Sequence, residues 1–159
     1  MIYSLYDRPR IEDINMSPPE RTNNNFYYSK LNIGNCPFYF KLDKCKTKNK
    51  IIQFKKNNNY YSDIIIENNI SDLITCIENQ IKNELLTKQN WFSTELDRKD
   101  IEYFFNSCIR NYDDNLLLRI HNTDDTIILD ENNNVIVNLD DSKCEYIGCI
   151  IHIKGIRFT

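Results

Sequence analysis

The chain changes its apolar period twice, and those two switches limit what it can fold into. Up to about residue 67 the apolar residues alternate with polar ones or run in short β-branched blocks, as strands require. Phe26–Ile33 and Pro37–Leu42 are strand candidates joined by Gly34-Asn35, a tight-hairpin signal. Lys50–Lys55 and Tyr60–Glu67 form a second pair around Lys56-Asn57-Asn58-Asn59, and Ile64-Ile65-Ile66 suits a strand covered on both sides. From Ser71, a plausible N-cap, the period lengthens: Ile74, Ile77, Ile81 and Leu85 recur every three or four residues up to Lys88. A second helix follows. Asp97 or Asp100 caps it, Ile101, Phe104, Phe105, Cys108 and Ile109 form its apolar face, and Arg110 lies near its C-terminus. After Asn111 the strand period returns in Leu116–His121, Thr126–Leu129, Val135–Leu139 and Tyr146–Ile153. Gly148 inside the last of these predicts a bulge or a close backbone approach.

Strands, two helices and strands again exclude a purely parallel α/β arrangement, because the helices do not alternate with strands. The expected class is mainly β with two helices (α+β): an OB-like antiparallel barrel, or a strongly curved sheet, with a helical insertion between strands. The expected layout is an irregular lead-in over residues 1–25, where Pro9 and Pro18-Pro19 lie, then one domain over 26–159 with the insertion at about 71–111. A chain of 159 residues is long enough for one such core. Trp91, between the helices, reads as a packing plug. The closing run to Thr159 is strand-like and without a polar tail, which suggests a trimmed C-terminus.

Charge is distributed unevenly over these elements. Between Lys30 and Tyr60 stand eight lysines, Lys30, Lys41, Lys44, Lys46, Lys48, Lys50, Lys55 and Lys56, against Asp43 alone. That window carries +7, so the remainder carries −10 to give the net −3. Phe38, Tyr39, Phe40, Phe54 and Tyr60 are interleaved with the lysines. Along Pro37–Leu42, Phe38, Phe40 and Leu42 share one face, which reads as core. Tyr39, Lys41 and Asp43 take the other, which is available to a ligand. A cationic stripe containing π-faces suits a flexible polyanion with stackable bases. A lysine-rich solvated hairpin is the plainer reading of the same residues.

Signs of other chemistry are weak. Three glycines, Gly34, Gly148 and Gly155, cannot build a phosphate-cradling loop, and no nucleophile elbow or H-E-x-x-H pair occurs. His121 and His152 read as surface or sheet-edge histidines. Asp124-Asp125, Asp130-Glu131 and Asp140-Asp141 sit in expected turns, which explains them without a metal. The six cysteines form no C-x-x-C pair, so no zinc site is expected, and they read as buried apolar side chains in a reducing compartment. There is no signal-peptide pattern at the start of this sequence and no apolar run of about 18 residues, so neither secretion nor a membrane helix is expected. No enzyme activity and no cofactor are expected.

Several strings together resemble a known family. They are Ser17-Pro-Pro-Glu-Arg21, Tyr28-Ser-Lys-Leu-Asn32, Asn35-Cys-Pro-Phe-Tyr-Phe-Lys-Leu-Asp43, Asn90-Trp-Phe92 with Leu96 and Asp100-Ile-Glu-Tyr-Phe-Phe105, and Cys149-Ile-Ile-His-Ile-Lys-Gly-Ile-Arg-Phe158. The chain resembles the single-stranded DNA-binding proteins of nucleocytoplasmic large DNA viruses, a group similar to the podovirus-type single-stranded DNA-binding protein. The resemblance implies an OB-like barrel coating single strands in viral replication or recombination, in the host cytoplasm, a viral factory or the nucleus. It implies that Tyr39 and Lys41 face the groove while Lys30, Lys44, Lys46, Lys48, Lys50, Lys55 and Lys56 line its rim, with Tyr28, Tyr39 and Tyr60 as stacking faces. Proteins of that type end in an acidic tail that recruits replication partners, and this sequence stops at Thr159 without one. Single-stranded DNA is the expected partner, with RNA and homo-oligomers as further candidates. The rival expectation is a structural or packaging protein of a virion, whose basic window meets an acidic surface or the acidic part of another copy.

Overall fold

The computed structural model describes the chain apart from residues 1, 5–9, 49–51, 55–58, 123–125, 128, 130–131, 133, 136–145 and 159. The fold class is the expected one, mainly β with two helices: a strongly curved antiparallel sheet with a helical insertion between strands. Its contacts gather into two compact units. Unit 1 comprises Met1–Leu42, Asn69–Ser107 and Cys149–Thr159, and unit 2 comprises Asp43–Asn68 and Cys108–Gly148. The lead-in expected over residues 1–25, irregular but for one short strand at Ile11–Met16, contains three short strands, β1 (Ile2–Ser4), β2 (Ile14–Met16) and β3 (Glu20–Arg21).

Unit 1 is organised around β4 (Tyr27–Ile33). Its partners are β2, β3, β5 (Cys36–Thr47) and the closing strand β11 (Gly155–Phe158), all antiparallel. β5 also takes β1 in parallel and pairs with β10 (Tyr146–Ile153). Gly34 has φ +57° in the β4–β5 hairpin, the left-handed angle that a tight turn needs and a side chain resists. Alternation then sorts the side chains. Ser29, Leu31 and Ile33 of β4 and Phe38, Phe40 and Leu42 of β5 are buried. Tyr28, Lys30, Asn32, Tyr39 and Lys41 point the other way.

The buried face is covered by α1 (Asn68–Thr87), whose Ile77, Ile81 and Leu85 pack with Ile14, Met16, Leu31, Ile33 and Phe38. Burying each such side chain contributes about 1.5–3 kcal/mol, so this layer is the main cohesive term of the unit. The helix begins three residues before the expected Ser71, with the Asn69 Oδ1 accepting from the Ile70 N–H. Trp91 packs partly buried against this core together with Phe92, as expected of a plug.

The second helix, α2 (Arg98–Phe104), starts where expected. Asp97 accepts from the Asp100 N–H at 2.9 Å and Asp100 accepts from the Asp97 N–H at 3.0 Å, a reciprocal capping box. It ends far sooner than the apolar periodicity predicts. Ile101 is buried, but Phe104 is 67% exposed and Cys108 is exposed, and Ile109–Tyr112 forms strand β8. A two-turn helix presents only one buried position here, and the β-branched Ile109 goes to the sheet. The thiols depart from expectation as well. Among the described thiols only Cys45 is buried; Cys149 is half-buried, Cys36 and Cys76 are exposed like Cys108, and Cys144 lies outside the described residues.

Unit 2 is a sheet in the order β5-β7-β9-β8, where β7 is Asn59–Ile66 and β9 is Asn115–Asn122; β6 (Ile52–Phe54) also pairs with β7. Ile64 and Ile66 of β7 and Leu117 and Leu118 of β9 are buried. The Lys48 ammonium, which follows β5, lies over the ring of Tyr112 in β8. In a flat sheet three strand spacings, roughly 14 Å, would separate these outer strands. The contact therefore requires that the sheet of this unit curl with the Lys48 face concave. An isolated antiparallel bridge joins Leu129 to Val135, while residues 128, 130–131, 133 and 136–139 of the expected hairpin, with the acidic pairs at 124–125, 130–131 and 140–141, lie outside the described residues.

Candidate functional site

The face of the unit 1 sheet opposite α1 gathers cations and rings. Register places Arg157 of β11 opposite Tyr28, whose strand carries Lys30 two residues later. Residues facing one another in register share a face. On β10, Ile153 packs into the core, which turns His152 outward. There the imidazole stacks on Tyr39, with ring centroids 4.5 Å apart and planes 28° from parallel. Tyr28, Lys30, Asn32, Pro37, His152 and Lys154, with Leu31 beneath, line a hollow of about 240 Å³. Small-molecule pockets are typically enclosed and run from about 300 to 1,000 Å³, so this hollow suits a group lying on a surface better than an engulfed substrate.

Lys30 and Lys154 favour an anion, while the rings between them stay neutral. Burial pushes the Tyr28 phenol up from its ordinary value, so it stays an un-ionised ring with a donor. Burial and then the Lys154 charge hold His152 below the usual histidine value, which leaves a neutral stack on Tyr39 at neutral pH. The Arg157 guanidinium covers the Phe26 ring at 4.1 Å. Glu20 of β3 is the carboxylate that the register brings opposite Tyr28. Lys30, Lys41, Lys154 and Arg157 thus share a face on which cations outweigh it.

One close approach shapes the hollow. Gly155, at φ +155°, runs so near β4 that a side chain there would overlap the Ser29 carbonyl and press on the Tyr28 ring. The Leu31 N–H donates to the Lys154 carbonyl at 2.9 Å beside it, fixing Lys154 over β4. Glycine at this position therefore sets where both Tyr28 and Lys154 stand.

Of the residues singled out by sequence, Tyr28, Lys30, Tyr39 and Lys41 lie on this one face. Lys44, Lys46 and Lys48 belong to unit 2, and the burial pattern of β5 slips by one residue between Leu42 and Cys45. Lys44 lies 4.7 Å from the centre of the Tyr146 ring, and Lys46 stands exposed opposite Ile65. Lys50, Lys55 and Lys56 lie outside the described residues, as does the side chain of Tyr60. Sequence reading missed His152 as a ring platform, and it missed Lys154 and Arg157 as cations. The alternation in Tyr146–Ile153 sends His152 outward, but pairing of that strand with the β5 hairpin has no local signal.

Unit 2 holds a charged pair of its own. Arg119 donates two hydrogen bonds of 2.7 Å to the Asp63 carboxylate, and its guanidinium lies 4.0 Å over the Tyr61 ring. The fork-to-fork geometry holds the Asp63 carboxyl below the ordinary range, the hydrogen bond from Arg119 contributing most. Among the described residues no group of three or more His, Cys, Asp or Glu could hold a metal ion, and no helix is long and apolar enough to cross a membrane. Comparison with family models, curated proteins and solved structures finds no match.

Proposed function

We propose that this chain binds single-stranded nucleic acid, DNA in the first place, without reading its sequence. The observation that carries the reading is the Tyr39–His152 stack set among Lys30 and Lys154 on a sheet face that no helix among the described residues covers. Lysines act on phosphates as point charges and release counterions, which gives affinity without base preference. A base laid on an aromatic platform adds roughly 1–3 kcal/mol and is equally tolerant of sequence, because every base has a π-face. An open, shallow hollow admits such a strand from any direction along its length. The reading includes no catalytic step and no cofactor. A role in viral DNA replication or recombination, in the host cytoplasm, a viral factory or the nucleus, belongs to the same proposal through the family resemblance.

Gel shift with labelled oligo-dT, competed by duplex DNA and by single-stranded RNA, tests the reading. Oligo-dT should shift at low salt, resist duplex competitor and shift less for a Tyr39→Ala variant. Failure of all three nucleic acids to bind would remove the proposal, and preferential competition by RNA would change its ligand.

A further inference from the structure

We infer that the concave face of unit 2 is a second, separate seat for a phosphodiester backbone, so that a single strand engages each chain twice; the inference rests on the proposed single-strand binding. Strand register builds this face row by row. Lys46, Ile65, Leu117 and Arg110 stand opposite one another across β5, β7, β9 and β8, so two exposed cations flank an apolar floor. The next row pairs Asp63 with Arg119, and the Lys48 N–H extends it by donating to the Asp63 carbonyl at 2.9 Å.

The chemistry of the face is that of an anion seat with rings. Asp63, 6% exposed, is its buried carboxylate, and both of its oxygens are engaged by Arg119. Lys46, Lys48, Arg110 and Arg119 therefore leave it cationic. Tyr61 and Tyr112 lie under Arg119 and Lys48, so each ring is already part of a cation–π layer to which a base can add. A concave cationic face concentrates the field more than a flat one does. Phosphate rather than carboxylate is the chemistry that fits, since the cations are spread along a row instead of converging on one point.

Two seats on one chain have a consequence that a single groove lacks. A short strand occupies each seat independently, whereas a long one binds both with the gain of an intramolecular second step, about 10²–10⁴ in apparent affinity. The test uses the full chain with fluorescein-labelled oligo-dT of about 8 nucleotides, within the span of one such face, and of about 40 nucleotides. Two double variants are compared, Lys46→Ala with Arg110→Ala and Lys30→Ala with Lys154→Ala; all four side chains are exposed, so the fold survives. The expected result is two short oligonucleotides per wild-type chain and one per chain for either double variant. The long oligonucleotide should lose at least tenfold in affinity with either.

If the Lys46/Arg110 variant matches wild type while the Lys30/Lys154 variant loses binding, the second seat is overturned and the proposed function stands. If the Lys46/Arg110 variant alone abolishes binding, unit 2 is the seat but the two-site inference fails, together with the unit 1 face. A wild-type chain that binds neither oligonucleotide overturns both.

Discussion

The imidazole of His152 lies 4.5 Å from the ring of Tyr39, on the sheet face that turns away from the helical layer. The two residues are more than a hundred positions apart and come from strands that pair. Lys154, two residues beyond His152, lines the same hollow and also lowers the affinity of the imidazole for a proton.

A first consequence concerns that proton. The folded-state value of His152 lies below its unfolded value, so the unfolded chain binds the proton more readily. The contribution of His152 to stability is therefore complete above the ordinary histidine value and declines as pH falls below it. Bound phosphates act in the opposite direction and should raise the midpoint. Titration of the His152 ring protons by NMR should give a midpoint below the ordinary value in the free chain and a higher one with oligo-dT. An unchanged midpoint on binding would place the strand elsewhere.

The Asp63–Arg119 pair gives a test of unit 2. Asp63→Ala leaves a guanidinium half-buried without its partner and should cost about 3 kcal/mol in denaturant unfolding. Replacing both residues together, Asp63→Leu with Arg119→Met, removes the charges and their desolvation at once, and most of that loss should return. Because the Asp63 carboxyl is held low, the stability it contributes is present above its unfolded value and disappears as pH falls through the folded one. An Asp63→Ala variant as stable as wild type at neutral pH would contradict the arrangement.

Gly155 makes a sharper structural claim. Gly155→Ala should destabilise the chain by about 2 kcal/mol or more, because the new methyl meets the Ser29 carbonyl, which cannot swing aside as a side chain could. The same substitution should weaken oligo-dT binding beyond the stability loss by displacing Tyr28. Thermal unfolding together with anisotropy at a temperature where the variant stays folded separates the two effects.

The second helix can be tested by contrast. Ile101→Ala should cost about 2–4 kcal/mol, since Ile101 is in the core, whereas Phe104→Ala should change stability by less than about 0.5 kcal/mol. Equal costs would mean that Phe104 is covered.

These contrasts show what was legible in the sequence. Periodicity located the strands of the β4–β5 hairpin, the body of α1 and the capped start of α2, because those signals are local: alternation, an i to i+4 recurrence, an Asp at an N-cap. It failed at the end of α2, where Phe104, Phe105, Cys108 and Ile109 continue a helical spacing that the sheet overrides by recruiting Ile109. The lysine window was legible as charge, yet no side chain announces its division between two units after Leu42 or the one-residue slip in the burial pattern there. His152, Lys154 and Arg157 join Tyr28 and Tyr39 only through pairings that span nearly the whole chain, and such pairings leave no trace in neighbouring residues.

The most direct measurement is the salt dependence of oligo-dT affinity for wild type and for the Lys30→Ala/Lys154→Ala variant. Each phosphate contact contributes about −0.7 to the slope of log K against log salt for a single strand, so losing two lysines should flatten the slope by about 1.4. A steep wild-type slope that becomes shallower by that amount is the result expected of a phosphate-binding face. Binding that is absent, that ignores salt, or that keeps its slope in the variant would contradict it.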